Sequence, residues 1–421
     1  MRDALEFEWL GIPSVAVIAD ALTGPADAMR RLSGMPDHPY LVTAFPVGAL
    51  TPDAVRERAR SHVAEVLALL RDRPAAPPVA SAPGDTAAGV DAGDDLVFPD
   101  DGTAHLAFAE QGWTDGMAVE LPTPERVAAL LATTGRPPDE VLLRIATRND
   151  LDATVSQIAA NAAMAGLEPR HFPVVLAALE AMADERHNLH AHTATMAGAQ
   201  QLVVVRGPAA RALGYRSEDG ALGPGWPANN RTGRAVRLVI RNLLRSVHGE
   251  FDRAGFSHPG RFGWCVAEDH RSPWLLGAPD QSEVLVYATT WQASVINHEQ
   301  TAAPLLDELA LAIRTACHVN WLHRDVATAS DFFAARPFLV VTGREHATVL
   351  VRDGYDDLTR LRESLFERLV DPGSPLRPVA IASPQNLHVL YLHATGMQQS
   401  WFFAPFQSHV MTRRPLPDPP S

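Results

Sequence analysis

Residues 201–267 contain QLVVV (201–205), TGRAVRLVIRNLLRSV (232–247) and FGWCVA (262–267), and the order of these three pieces decides the fold class. The first and third are short apolar runs of strand length, rich in β-branched and aromatic residues. The middle piece sets Val236, Val239, Ile240, Leu243 and Leu244 at helical spacing, so that they share one face. Strand, helix and strand in succession make an α/β layer. The pattern continues outward. Apolar runs at 283–288, 338–342 and 387–393 read as strands. Helical periodicity recurs at 123–133, 152–165, 172–183, 209–213, 305–322, 344–351 and 355–370. The fold class is therefore α/β, with a mixed α+β arrangement as the alternative.

The N-terminal part reads as a separate, smaller layer. Residues 3–10 have helical spacing, Gly11 stops that helix, and IPSVAVIA (12–19) follows as a strand. Thr51 as N-cap and Pro52 at the first helical position open a further helix over 51–70. Such layers usually open with a strand, and none precedes this helix, so residues 1–72 read as an incomplete Rossmann-like layer with an open edge near 12–19. Residues 73–110 are rich in Pro, Ala, Gly and Asp and read as a linker. A larger α/β domain is expected over 111–408, with a disordered tail over 409–421.

Composition narrows the function classes. The 421 residues carry a formal net charge of −13, which disfavours nucleic acids and acidic membranes as partners. No apolar run is long enough to cross a bilayer, and no secretory signal opens the sequence. The two cysteines, Cys265 and Cys317, are too few for a disulfide scaffold. A cytoplasmic location is the expectation. No GxSxG elbow, kinase signature or CxxC pair is present.

Candidate chemistry concentrates in 187–274. His187, His190 and His192 fall within six residues, which suits metal ligation or acid/base work; helix C-capping is the plainer alternative. The loop GALGPGWPANNRTGRA (220–235) leads into a helix expected to start at Thr232, whose free N–H groups, with Arg231 and Arg234, would hold an anion. Asn230 as a structural cap is the alternative. Arg234, Arg237, Arg241 and Arg245 share a helix face, as an anion groove or as a solvated surface. Cys265 and Glu268 end a strand, and Cys317, His318 and His323 form a weaker cluster. The expected catalytic residues are His190, Glu268 and Asn188. The expected substrate contacts are Trp226, Asn229, Arg234 and Gly225. A divalent metal, held by His190 and Glu268, is the one cofactor these residues suggest.

The stretch LEFEWLGIPSVAVIADAL (5–22) resembles the UGSC-type domain of bacterial proteins, some of which use selenocysteine, and later segments resemble the larger domain often joined to it. Further along are TDGMAVELPTPERV (114–127), NAAMAGLEPRHFPVVLAALEAM (161–182), Asn188-Leu189-His190 and RGPAARALG (206–214). ALGPGWPANNRTGRAVRL (221–238), CVAEDHRSPW (265–274) and REHATVLVRDGY (344–355) complete the set. The resemblance implies a thiol or selenol on a loop after a first strand, and small-molecule redox or sulfur chemistry. This sequence has no cysteine before Cys265. Leu167 stands where the resemblance leads one to expect a cysteine, and Gln398-Gln399-Ser400 where it leads one to expect a Gly-Lys-His-Ser-like turn.

Two functions follow as expectations. The first is a small-molecule enzyme of specialised metabolism, an oxidoreductase or lyase acting on a small anionic substrate. The second is a non-catalytic or half-site subunit, completed by a small partner protein or a second copy through the open sheet edge. A start site placed too late, a strand and thiol supplied in trans, and a mechanism without the thiol all remain open.

Overall fold

The computed structural model describes residues 1–44, 50–71, 96–145, 151–319, 336–376, 378–395, 398–406 and 410–416. Two compact units divide them. The first comprises 1–99, 144–151 and 245–253; the second comprises 100–143, 152–244 and 254–421. The α/β class is borne out. Among the described residues, no helix is long and apolar enough to cross a membrane.

In the first unit, α1 (Arg2–Trp9) leads to β1 (Ala16–Ala19), α2 (Thr23–Leu32), β2 (Tyr40–Thr43) and α3 (Pro52–Arg71). β1 and β2 run parallel, from Ala16 beside Tyr40 to Ala19 beside Thr43. Gly11 ends α1 at φ 74, as expected. The strand starts four residues later than its apolar run, because Ser14 is drawn back onto α1. Its N–H donates to Glu8 Oε1 at 2.7 Å and its hydroxyl to the Ala4 carbonyl at 2.5 Å. Leu5, Met29, Met35 and Phe251 form a small core. β1 has one paired neighbour among the described residues, and Val17 on it is 51% exposed.

The second unit opens with α4 (Asp101–Glu110), which corrects the linker boundary expected at 110. Asp100 caps this helix by accepting from the Thr103 N–H at 2.7 Å, and Ala104 and Phe108 are buried. The expected linker at 73–95 lies outside the described residues. After α5 (Pro124–Leu131) come two short strands, β3 (Val141–Ile145) and β4 (Leu151–Thr154), whose residues from 144 to 151 belong to the first unit, then α6 (Val155–Met164) and α7 (Phe172–Met182). α8 (Leu189–Ala194), β5 (Gln200–Arg206), α9 (Pro208–Ala212), α10 (Pro227–Asn242) and β6 (Trp264–Ala267) follow. The long strand β7 (Glu283–Ile296), α11 (Ala302–Val319), β8 (Phe338–Thr342), α12 (Arg344–Arg352), α13 (Leu358–Val370), β9 (Leu387–Tyr391), β10 (Gln399–Pro405) and β11 (Thr412–Pro415) complete it.

Seven strands form one mixed, curled sheet in the order β6-β5-β7-β10-β8-β9, with β11 also paired to β7. The pairs β5/β6 and β8/β9 are parallel, while β7 and β10 run antiparallel to their neighbours. Alternation along the strands sorts two faces. Leu305, Leu309 and Ile313 of α11 and Leu361, Leu365 and Leu369 of α13 pack with Phe338, Val340 and Phe402 on one side. A second cluster gathers Leu202, Val204, Leu285, Tyr287, Val341 and Phe403 with Ala221 and Leu222 of the glycine loop.

Two expectations change here. The tail expected to be disordered from 409 contains strand β11 at 412–415, registered on β7 from Thr412 beside Val286 to Pro415 beside Glu283. The helix expected over 232–247 is α10, which starts at Pro227 and ends at Asn242, and Arg245 at φ 55 lies beyond it. Gly233 and Gly263 explain a glycine in mid-helix. A Cβ on Gly233 would lie 2.7 Å from the Gly263 carbonyl carbon, so both must be glycine for α10 to reach the start of β6.

Candidate functional site

The expected site residues are mostly engaged in holding the fold. Glu268 sits at the end of β6, 5% exposed. Its Oε2 accepts from Arg206 Nε at 2.8 Å and its Oε1 from the Leu276 N–H at 2.7 Å. Burial pushes its carboxyl upward, against the pull of that N–H and that guanidinium. Arg206 is wholly buried and also reaches Glu283 Oε2 at 3.0 Å and the Ala278 carbonyl at 2.7 Å. A metal at Glu268 would compete with this fixed cation for the same oxygens.

The histidines are interior rather than surface caps. His187 and His192 are fully buried, with their rings 4.7 Å apart and nearly perpendicular. His192 Nδ1 lies 2.8 Å from Gln201 Nε2, and His187 Nδ1 lies 3.3 Å from Thr412 Oγ1. The pair therefore ties α8 to the first residues of β5 and to β11. His190 is half-buried on α8. Asn188, at φ 55 and ψ 46, turns the chain into that helix, a left-handed conformation that asparagine tolerates well. α8 adjoins the start of β5 and Glu268 its end, with about 17 Å of strand between Gln201 and Arg206. Among the described residues, no three His, Cys, Asp or Glu side chains come together as metal ligands. The expected pairing of His190 and Glu268 on one ion does not fit this arrangement.

Arg234 is likewise committed. Its Nε and Nη2 each meet an Asp115 oxygen at 2.9 Å, and Nη2 also donates to the Ala118 carbonyl at 2.8 Å. Because α10 starts at Pro227, Thr232 and Arg234 lie inside the helix, and the anion site expected at a Thr232 helix start is corrected. Arg241 donates to the Thr114 carbonyl at 2.7 Å, and Arg237 is buried. Arg234 and Arg241 are therefore covered by the 113–118 segment and Arg245, beyond the helix, pairs with Glu250 at 2.9 Å, where the sequence suggests an open groove or a solvated surface. Both cysteines are enclosed, and burial pushes each thiol well above its ordinary range. His323 lies outside the described residues.

The glycine loop does face a cavity. Gly220 to Gly223 form one wall of a cleft of about 380 Å³. Val341 at the end of β8, Leu392 and Ala394 beyond β9, and Trp401 on β10 form the apolar remainder. Thr395, Gln399 and Glu218 supply polar side chains. The cleft thus lies where β8 and β9 end and β10 begins, with the 218–223 loop against it.

Asn229 and Asn230 set the loop. Asn229 is fully buried; its Oδ1 accepts from the Arg216 N–H at 3.0 Å and its Nδ2 donates to the carbonyls of Arg216 and Ala221 at 3.0 and 3.2 Å. Asn230 donates to the Gly223 carbonyl at 2.9 Å and accepts from the N–H groups of Gly225 and Trp226. Trp226 Nε1 donates to the Asp219 carbonyl at 3.0 Å, and the Asp219 carboxylate accepts from the Thr395 N–H at 2.5 Å. Asn229, Trp226 and Gly225, expected as substrate contacts, are thus the scaffold behind the wall. On the facing wall, a Cβ on Gly343 would come within 2.7 Å of the Gln399 carbonyl, so that turn also requires glycine.

Among the described residues that line the cleft, Glu218 is the one ionisable side chain. Its Oε2 accepts from the Ser217 N–H at 3.1 Å, and Arg271 Nη2 lies 3.7 Å from its Oε1. Behind it is a carboxylate that sequence reasoning missed. Asp269 is almost fully buried and accepts from Ser217 Oγ at 2.6 Å and from Arg271 Nε and Nη2 at 2.8 and 2.6 Å. Burial opposes its charge, yet the hydrogen bonds from Arg271 and Ser217 hold its carboxyl well below the usual range. Asp269 follows Glu268 directly, but no spacing in the sequence distinguishes the two.

No curated protein matches the chain. Residues 1–72 match the sequence model of the UGSC family, and the cleft lies outside the matched stretch.

Proposed function

We propose that the larger unit is a small-molecule enzyme whose substrate sits in the cleft walled by Gly220 to Gly223. The observation that carries this reading is the loop itself: two buried or half-buried asparagines and an Asp219–Thr395 clasp hold a glycine wall over a largely apolar space. The substrate has an apolar body and a neutral or cationic polar end, because the only charge lining the space among the described residues is the Glu218 carboxylate. Glu218 pairs with the polar end of the bound molecule and is, among the described residues, the one ionisable side chain lining the space that can accept a proton from it. Asp269, through Ser217 and Arg271, fixes its position. Cys265 and Cys317 take no part, being enclosed.

The test is titration calorimetry with hexylammonium as probe. Wild-type protein binds it, Glu218→Gln weakens binding at least tenfold, and Ala394→Trp, which fills the space, abolishes it. Undiminished binding in both variants would remove the cleft from the function.

A second reading concerns the N-terminal unit, which pairs with another chain through β1. It is supported by the single neighbour of β1 among the described residues and by the half-exposed Val17 and Val42. Val17→Lys then lowers the assembled mass seen by light scattering; an unchanged mass would discard it.

A further inference from the structure

A second cleft, of about 300 Å³, opens in the larger unit among α5, the end of α6 and the second turn of α10. Its floor is apolar: Ala129 and Leu130 from α5, Ala163 from α6, and Leu167 just beyond. Gly166 adds no side chain to it; a Cβ there would meet Glu120 Cγ at 3.4 Å.

The rim is charged, and its charges are not equivalent. Arg126 donates to Glu120 at 2.5 Å, and Arg170 donates to Glu168 at 3.1 Å. Arg231 differs. Its ion-pair partner, Glu168 Oε1, stands 3.6 Å from Nη1, beyond hydrogen-bond reach. Among the described residues nothing accepts a hydrogen bond from its guanidinium. The neighbouring Arg234, by contrast, is clamped on Asp115. Among the lining residues, Arg126 and Arg231 stand against Glu120 and Glu168, so the fixed charges balance and Arg231 is distinguished by its unused hydrogen bonds rather than by net charge.

A guanidinium fork that is ion-paired at 3.6 Å but gives no hydrogen bond among the described residues, above an apolar floor, matches one ligand chemistry. The planar fork pairs two N–H groups with the two oxygens of a carboxylate, and the floor shelters hydrocarbon from water. We propose that this cleft binds a small organic carboxylate, with its head on Arg231 and its apolar body over Leu130 and Leu167. A bare phosphate would satisfy the fork and leave the floor wet. This site is separate from the Glu218 cleft and does not depend on the function proposed for it.

The experiment is titration calorimetry of the full chain with hexanoate, acetate, hexanol and inorganic phosphate. Hexanoate binds at least tenfold more tightly than each of the other three. Arg231→Met weakens hexanoate at least tenfold, and Arg231→Lys, which keeps the charge without the fork, falls between. Because the Arg231 side chain is 44% exposed, the thermal midpoint of Arg231→Met stays at the wild-type value. Hexanol binding as tightly as hexanoate, or hexanoate indifferent to Arg231→Met, would overturn the carboxylate site. Acetate or phosphate matching hexanoate would overturn the role of the apolar floor.

Discussion

Replacing Glu268 by alanine separates a structural role from a catalytic one. In the folded protein, Arg206 has no exposed surface and spreads its donors over Glu268, Glu283 and two backbone carbonyls. Glu268→Ala leaves that cation with Glu283 as its one carboxylate, at 3.0 Å, and removes the acceptor of the Leu276 N–H. Breaking a buried pair from one side costs about 3–5 kcal/mol, and the surviving Glu283 contact puts the loss near the lower end, about 3 kcal/mol. With a urea dependence of about 3 kcal/mol/M for a unit of this size, the unfolding midpoint falls by about 1 M. Circular dichroism in a urea series measures it. The double change Arg206→Met with Glu268→Leu removes both charges and leaves Glu283 paired with Arg413 at 3.3 Å, so it recovers much of the loss. An unmoved midpoint in Glu268→Ala, or a double variant no better than the single one, would refute the structural reading. Lost activity with full stability would return Glu268 to the mechanism.

Three further outcomes are expected. Asn229→Ala strands two carbonyls and one N–H behind the cleft wall; it lowers stability by about 2–4 kcal/mol and speeds amide exchange across 216–223, and wild-type exchange there would count against the scaffold role. Asp269 has a depressed carboxyl pKa, so it adds stability that is fully present above its unfolded value of about 3.9 and is lost as pH falls through the lower folded value. The thermal midpoint therefore drops more steeply below about pH 4 in wild type than in Asp269→Asn, and parallel curves would contradict this. Cys265 and Cys317 should both resist a thiol reagent until the protein is denatured; one fast-reacting thiol in the native state would reopen a thiol mechanism.

What the sequence makes legible depends on whether the cause is local. The runs at 338–342 and 387–391 announce themselves, because β-branched and apolar residues in short bounded stretches have few other uses. QSWFFAP (399–405) does not read as a strand, since polar residues open it and a proline closes it. Its strand state is imposed by β7 on one side and β8 on the other. TRRP (412–415) is a strand only because β7 has room beside Glu283 to Val286. The site follows the same rule. The glycine loop is visible as an unusual run, and it does wall a cleft. Its partners are not visible: Asp219 meets Thr395 across 176 residues, and Arg206 meets Glu268 across 62. A carboxylate at a strand end looks reactive until the distant arginine that neutralises it is known.

The position of β7 has a consequence for how the chain is made. β5 and β6 form one parallel pair, β8 and β9 another, and among the described strands only the contact of β7 with β10 bridges them. During synthesis, β8 and β9 are complete before β10 exists, so the two halves cannot pair into one sheet until β10, ending at residue 405, has been made. Until then, β7 presents an unpaired flank that β10 and β11 later cover, in a strand whose first six residues, 283–288, are entirely apolar apart from Glu283 and the Tyr287 hydroxyl. The nascent chain therefore carries a sticky edge for more than a hundred residues of elongation, counted from β7 to β10. Sequences that shorten this exposure, or a chaperone that shields the flank, would govern the yield of folded protein more than the stability of the finished sheet does.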